Sequence, residues 1–305
     1  MSHCLRSSIR QPPPARLRSG ADLHVHTTHS DGGCSPCEVV MGAFRAGLSA
    51  LAITDHDTVS GLEIARPEAA RLGLELVAGV ELTCEFHGRE VHLLGHFIGD
   101  AAPLNLAMGQ LRTGRSRRFE AMMEALRRQG LRVDLRAVRQ IFPRAVPGRR
   151  HLAEYLALTR QVASPREAFQ RFLAEGRPAW FPSPRLPVAE AIGLIRNSGG
   201  TAALAHPPSF LTAVQMRKLV AAGLNAIEVR SPGITATRAR RFQRWAAEFG
   251  LVPIAGTDFH FPDRPGRWVG AITTGGKELE QLRQASRANP ESECSASTVG
   301  SSASR

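Results

Sequence analysis

His24 and His26 lie two residues apart in Asp22-Leu23-His24-Val25-His26, and on an extended chain that spacing turns both imidazoles to the same side. Asp31 follows shortly after. His56 stands in Thr54-Asp55-His56-Asp57, Glu81 in Gly79-Val80-Glu81, and His92 in Glu90-Val91-His92. His206 stands in Ala205-His206-Pro207, and Asp258 and His260 in Gly256-Thr257-Asp258-Phe259-His260. Imidazole and carboxylate together are a donor set for Zn, Mn or Fe. Nine such groups exceed what one tetrahedral or octahedral ion can use. Two or three ions sharing a bridging carboxylate are the expected solution.

The elements that must carry these groups are short. Apolar runs at 21–25, 50–53, 74–82, 90–97, 201–205, 226–229 and 252–255 read as strands. Helical patterns separate most of them, at 35–46, 62–72, 186–197, 210–222 and 236–249. Pro36 sits at a favourable first-turn position, and Gly73, Gly199-Gly200 and Gly223 act as stops. This alternation predicts a parallel α/β fold. In a barrel of parallel strands the C-terminal edge, where most of the nine groups fall, is where active sites are built.

The rhythm breaks between about 101 and 181. There 115–129, 136–142, 151–158 and 165–174 read as helices, an inserted small helical subdomain. Residues 1–20, with Pro12-Pro13-Pro14 and arginines but no acid, read as a disordered leader, and the Ser- and Ala-rich 288–305 as a disordered tail. The expected organisation is a barrel of 21–100 and 182–280, with 101–181 covering its active site.

The charge is concentrated. The chain of 305 residues has 39 basic and 27 acidic residues, a net charge of +12, and its only lysines are Lys218 and Lys277. Twelve arginines lie between Arg112 and Arg150, against Glu120, Glu124 and Asp134. Arginine pairs bidentately with phosphate, so an anionic small molecule or a short oligonucleotide is the expected partner. No apolar run approaches the roughly 18 residues of a membrane helix. The N-terminus lacks a secretory core, and five cysteines are too few for a disulfide scaffold in a chain this long. A cytoplasmic protein with no obligate protein partner is expected.

His24-Val-His26-Thr-Thr-His-Ser-Asp31-Gly32, Ile53-Thr54-Asp55-His56-Asp57, Gly79-Val80-Glu81, Glu90-Val91-His92, Ala205-His206-Pro207 and Gly256-Thr257-Asp258-Phe259-His260 resemble, in order, the motifs of the PHP (polymerase and histidinol phosphatase) phosphoesterases. The resemblance implies a distorted (β/α)7 TIM-like barrel with a trinuclear metal centre. By motif, His24, His26, Glu81 and Asp258 would hold one ion. Glu81 would bridge to a second, completed by His92 and His206, and Asp31, His56 and His260 would hold the third. An oxygen ligand at Asp31 favours Mn2+, with Fe2+ or Zn2+ as alternatives. Asp55 and Asp57 are expected to orient imidazoles, His29 to lie at the rim, and His96 to face outward.

The helical insertion resembles that of the branch containing 3′,5′-nucleoside bisphosphate phosphatases and a 5′–3′ exoribonuclease. Arg115 and Arg118 match its Arg-x-x-Arg, and Arg149 and His151 its Arg-x-His. These four would bind substrate phosphates, with Arg177 a weaker candidate. The implied chemistry is attack of metal-activated water on a phosphate ester. Arg149 would offset developing charge and His151 or a bound water would serve the leaving group. Histidinol phosphatase is the second enzyme reading, although a small monophosphate needs fewer arginines. A non-catalytic nucleic-acid-binding accessory protein is the third. Cys34 and Cys37 lack the second pair that a zinc ribbon needs.

Overall fold

A computed structural model describes residues 19–143, 148–262 and 268–288. All but the ends of the expected leader and tail therefore lie outside the described residues. The elements in chain order are β1 (Ala21–Asp22), α1 (Pro36–Arg45), β2 (Ala50–Ile53), α2 (Gly61–Leu72), β3 (Glu75–Phe86) and β4 (Arg89–His96). Then come α3 (Ala102–Arg128), α4 (Leu135–Ile141), α5 (Arg149–Leu158), α6 (Pro165–Ala168) and one π-helical turn, Phe169–Leu173. The chain continues with β5 (Leu186–Pro187), α7 (Val188–Asn197), β6 (Thr201–Leu204), α8 (Ala213–Ala221), β7 (Ala226–Arg230), α9 (Ala236–Phe249), β8 (Val252–Ala255) and α10 (Gly276–Arg287).

One sheet runs β1-β2-β3-β4-β6-β7-β8, with β5 paired to the outer part of β3. It nearly closes into a barrel, because the chain after β1 meets the chain after β8. His26 N–H donates to the Phe259 carbonyl (2.9 Å) and Phe259 N–H to that of His24 (3.4 Å). Asp22 fastens this seam. Its buried carboxylate accepts from Thr257 N–H (3.0 Å), the Thr257 hydroxyl (2.7 Å) and Gly270 N–H (2.9 Å). Small side chains, Ala50, Ala52, Ala203 and Ala205, share the barrel cluster with Leu23, Leu94 and Ile254, and Leu279 and Leu282 of α10 join it. β2 and β6 are buried throughout, as expected of strands covered on both faces.

Local signals fix the helix ends. Ser35 and Glu38 form a capping box with Pro36 in the first turn of α1, and Gly73 closes α2 in the left-handed region at φ 60°. α10 was not expected from the sequence.

The structure corrects the all-parallel expectation at β4, which is antiparallel to both β3 and β6. The β3–β4 connection is only His87-Gly88, with φ of 53° and 74°. Two such residues make a hairpin turn, whereas a parallel crossover needs a dozen or more. His92 therefore reaches the rim from a strand running the opposite way. Glu81 lies within β3 rather than at its end.

The insertion is joined to the barrel by one helix that starts well before the expected residue 115. α3, about 40 Å long at 1.5 Å per residue, buries Leu104, Ala107, Met108 and Leu111 in the cluster shared with α7 and the sheet. Further along, Phe119, Met122, Met123 and Leu126 pack with Val138, Leu152, Leu156, Phe172 and Leu173 in a separate core. α3 thus fixes where the insertion stands relative to the strand ends. Among the described residues no helix is long and apolar enough to cross a membrane.

His96 corrects another expectation. It does not face outward but is fully buried, with Nε2 donating to the Leu23 carbonyl at 2.9 Å. Burial lowers its pKa to about 4, so it is neutral in the fold. The unfolded chain, with a pKa near 6.5, takes up a proton that the folded chain rejects. The His96 contribution is present above about pH 6.5 and is lost as pH falls toward 4. Between pH 7 and 4.5 the wild type should lose about 2 kcal/mol more stability than His96→Gln in urea unfolding. Parallel losses would place the titration elsewhere.

Candidate metal centre

All nine predicted ligand groups converge at one rim of the barrel. Glu81, completely buried, is the hub. Its Oε2 lies 3.3 Å from His24 Nε2, 3.0 Å from His26 Nε2 and 3.3 Å from His56 Nδ1. Its Oε1 lies 2.8 Å from His92 Nδ1 and 3.1 Å from His206 Nε2. Asp258 Oδ1 closes the first group at 3.3 Å from His24 and 3.4 Å from His26. Asp31 Oδ1 lies 3.2 Å from His260 Nε2 and 3.9 Å from His56 Nε2. Three sets each bring their ligand atoms within 4.8 Å of one another: His24, His26, Glu81 and Asp258; His26, Asp31, His56 and His260; and His56, Glu81 and His92.

The donor atoms suit cations. His24 Nε2, His26 Nε2, His56 Nδ1, Glu81 Oε2 and Asp31 Oδ1 are buried with no hydrogen-bond partner among the described residues. Such atoms are costly to leave unsatisfied, and here they face one another across a shared space. The charge balance points the same way. Burial opposes ionisation of Glu81, yet the imidazoles of His56, His24 and His92 hold it well below the usual carboxylate range. Burial likewise opposes protonation of His26 and His92. The carboxylates of Asp258 and Glu81 nevertheless raise His26 to about 9, and Glu81 and Glu90 raise His92 to about 10. His24 is raised in the same way, whereas burial holds His56 well below its ordinary value. A buried cluster that draws protons onto three of its histidines is short of positive charge, which divalent ions would supply.

The backbone is bent to place these groups. Asp57, His206 and Asp258 are non-glycine residues at φ 54°, 25° and 46°. Positive φ disfavours side-chain-bearing residues and persists only where the surroundings enforce it. Close approach matters at Gly256 too, where a Cβ would stand 2.4 Å from the Cβ of His24.

The two aspartates flanking His56 do not contact imidazoles, contrary to expectation. Asp55 accepts from Thr27 N–H (2.7 Å), the Thr27 hydroxyl (2.7 Å) and the Ser30 hydroxyl (2.6 Å), and so shapes the loop that carries Asp31. Asp57 accepts from Thr83 N–H (3.0 Å) and from Arg115 Nε (2.5 Å). His29 Nδ1 meets the Ser60 hydroxyl at 2.8 Å. Cys34 is buried and Cys37 exposed, and neither belongs to a ligand group.

Beside the centre opens a cavity of about 150 Å³. Asp31, His56, Glu90 and His92 line it from the barrel, and Arg115, Arg118, Gly148, Arg149, Arg150 and Phe169 from the insertion. Arg115 gives Nε to Asp57 and Nη2 to Thr83 Oγ1 (2.5 Å), so much of its hydrogen bonding ties α3 to the barrel. Arg118 gives Nε to the Phe181 carbonyl (2.8 Å), and burial together with the charges of Arg149 and Arg115 lowers its pKa to about 10. Arg149 and Arg150 occupy the first turn of α5, where acids are usual and none is present. His151 is buried, its Nδ1 accepts from Gly148 N–H (3.0 Å), and burial holds it neutral with a pKa of about 4. Its proton therefore sits on Nε2, which has no partner among the described residues. Arg177 is exposed and does not line the cavity.

Sequence reasoning missed Glu228, Glu90, Arg150 and Arg185. Glu228 is an acid inside the apolar strand run Ala226-Ile227-Glu228-Val229, and that mismatch was its one signal. Glu90 lies 3.5 Å from His92 Nε2 and 3.4 Å from Arg185 Nε. Both arginines were hidden in a chain rich in them.

The PHP domain pattern matches residues 22–154. The chain is 34% identical over 247 residues to a 5′–3′ exoribonuclease of Haemophilus influenzae, covering 79% of this chain and 90% of that protein. It is 32% identical over 256 residues to a 3′,5′-nucleoside bisphosphate phosphatase of Chromobacterium violaceum, covering 82% and 90%. A crystal structure from Bifidobacterium adolescentis, described as a metal-dependent phosphoesterase, superposes with a TM-score of 0.83 at 26% identity, covering 89% and 97%. With a barrel rim that gathers five histidines around one buried glutamate, and with these relatives, the chain belongs to the PHP family and is a metal-dependent hydrolase of phosphate esters.

Proposed function

We propose that the substrate is a nucleotide carrying a second phosphate: a nucleoside 3′,5′-bisphosphate, or the 5′ end of a short RNA. The observation that carries this reading is the cavity with carboxylate and imidazole groups on one wall and four arginines on the other. Burial and the charges of Arg149 and Arg115 lower the pKa of Arg118, and a phosphate there provides counter-charge. The N-terminus of α5 adds its dipole at the same wall. The similarity to proteins named bisphosphate phosphatase and exoribonuclease agrees with this class. Four arginines are more than a small monophosphate such as histidinol phosphate requires.

His24, His26, Glu81 and Asp258 would hold one ion, Glu81, His92 and His206 a second, and Asp31, His56 and His260 a third. Mn2+ is our assignment, given the mixed oxygen and nitrogen donors. Divalent ions there supply Lewis-acid polarisation of the phosphate and activation of water. The protein's own groups divide the remaining work. Arg118 and Arg149 bind and orient phosphate oxygens and offset charge that builds on them. Arg115 both faces the cavity and steadies the loop after His56. His151, neutral with its proton on Nε2, serves as a hydrogen-bond donor rather than as a proton donor near pH 7.

Elemental analysis after Mn2+ reconstitution should find two to three equivalents per chain; less than one would contradict the multi-ion centre. Glu81→Gln should lose more than tenfold in turnover, equal to about 1.4 kcal/mol, while circular dichroism stays native. A rate within tenfold of wild type would mean that Glu81 is not a bridge. Arg118→Ala should lower kcat/KM on adenosine 3′,5′-bisphosphate about ten- to a hundredfold, the range of a lost charge-assisted contact, and on AMP much less. Equal losses on both would move Arg118 to the scissile phosphate, and no loss would restore the small monophosphate reading.

A further inference from the structure

Glu228 takes no part in the ligand sets above, yet it is completely buried in β7 between Ile227 and Val229. A buried carboxylate is expensive unless it is hydrogen-bonded. Both of its oxygens are used, and both lead to the metal centre. Oε1 faces His24 Nδ1 at 3.2 Å, and Oε2 accepts from the backbone N–H of His206 at 2.5 Å.

The first contact fixes a tautomer. With its Nδ1 proton held by Glu228, His24 presents the Nε2 lone pair toward Glu81 Oε2 and Asp258 Oδ1, each 3.3 Å away. The second contact fixes a backbone. His206 sits at φ 25°, a conformation that needs enforcing, and its Nε2 lies 3.1 Å from Glu81 Oε1. The same turn is gripped from outside. Half-buried Arg238 on α9 donates to the Pro207 carbonyl and, through Nη1, to the Gly233 carbonyl at 3.0 Å. Arg241 reaches the Ser209 carbonyl at 3.5 Å and stacks over Trp245 with its guanidinium carbon 4.9 Å from the ring centre.

We propose that Glu228 is a positioning residue whose single carboxylate sets the ring of His24 and the backbone of His206 together, with Arg238 bracing the His206 turn from the other side, so that one side chain serves ion binding on both faces of Glu81. The proposal rests on the metal-centre reading above. His24 and His206 have no sequence proximity, and their rings are stacked with centroids 5.7 Å apart. Besides Glu81 itself, Glu228 is a buried side chain that touches both residues.

The test uses full-length protein stripped by chelator and titrated with Mn2+ in a calorimeter, with the melting temperature of the metal-free form as control. An amide offers one acceptor where two N–H groups need one each. E228Q should therefore bind Mn2+ ten- to a hundredfold more weakly, at more than one equivalent, while the metal-free melting temperature moves by only a few degrees. R238A, on the outer side of the turn, should weaken the equivalent that depends on His206 by several-fold and spare the others. Wild-type Mn2+ affinity in E228Q overturns the proposal, as does a loss of affinity matched by collapse of the metal-free melting temperature. If E228Q does not fold, R238A decides: an unaltered titration overturns the bracing of His206, and a selective loss supports it. Failure of the wild type to bind Mn2+ would remove the metal reading itself, an outcome distinct from equal binding by wild type and variant.

Discussion

One buried carboxylate organises the rim. Glu81 has no exposed surface, and its two oxygens face five imidazoles from four separate segments of chain. A charge placed so deep survives only if opposite charge surrounds it. The histidines meet that demand in part, and cations would complete it. The requirement reaches outward. His24 needs Glu228 behind it, His26 needs the loop shaped by Asp55, and His206 needs its turn held at an unfavourable φ. The buried polar network of the rim is thus a consequence of putting an anion at its centre.

The same electrostatic logic separates the two walls of the cavity. The barrel wall is rich in carboxylate and imidazole, and the insertion wall in guanidinium. α3 holds the walls together without neutralising them. Arg115 binds Asp57 and Thr83, and Arg112 Nη1 donates to the Asp57 carbonyl at 2.8 Å, so the insertion is anchored at the residue next to His56. Arg118, Arg149 and Arg150 are left near one another with little counter-charge. Such an arrangement is electrostatically unfavourable in the empty protein and favourable once an anion enters, which places binding energy at the mouth of the centre.

Three of the positive-φ residues lie at or next to candidate ligands. Asp57, His206 and Asp258 each follow a strand or a strand extension and turn into the left-handed region. Regular strands would send these side chains along the pleat, whereas positive φ turns His206 and Asp258 to the rim and Asp57 to Thr83 and Arg115. The hydrogen bonds that hold two of these turns come from distant segments: Thr83 and Arg115 for Asp57, and Glu228 and Arg238 for His206.

The identity of the chemistry was legible in the chain itself. His24 and His26 declare themselves by a spacing of two on an extended chain, because side-chain alternation is a local rule, and Asp258 and His260 by their place after the last apolar run. Apolar runs and glycine stops marked most barrel strands for the same reason. What the sequence left open was non-local. The antiparallel direction of β4 depended on a two-residue turn at His87-Gly88, whose φ values are not written in the hydrophobic pattern. His96 looked like a surface residue until the sheet closed over it. Asp55 and Asp57 were assigned to imidazoles by proximity in sequence, but their partners, Thr27, Ser30, Thr83 and Arg115, come from other segments. Glu228 lies 204 residues from the His24 ring that it meets. Residue type and spacing determined which groups could bind metal and phosphate. Tertiary structure alone decided which partner each charge would have, because a buried charge takes its partner from whatever the fold brings within hydrogen-bonding distance.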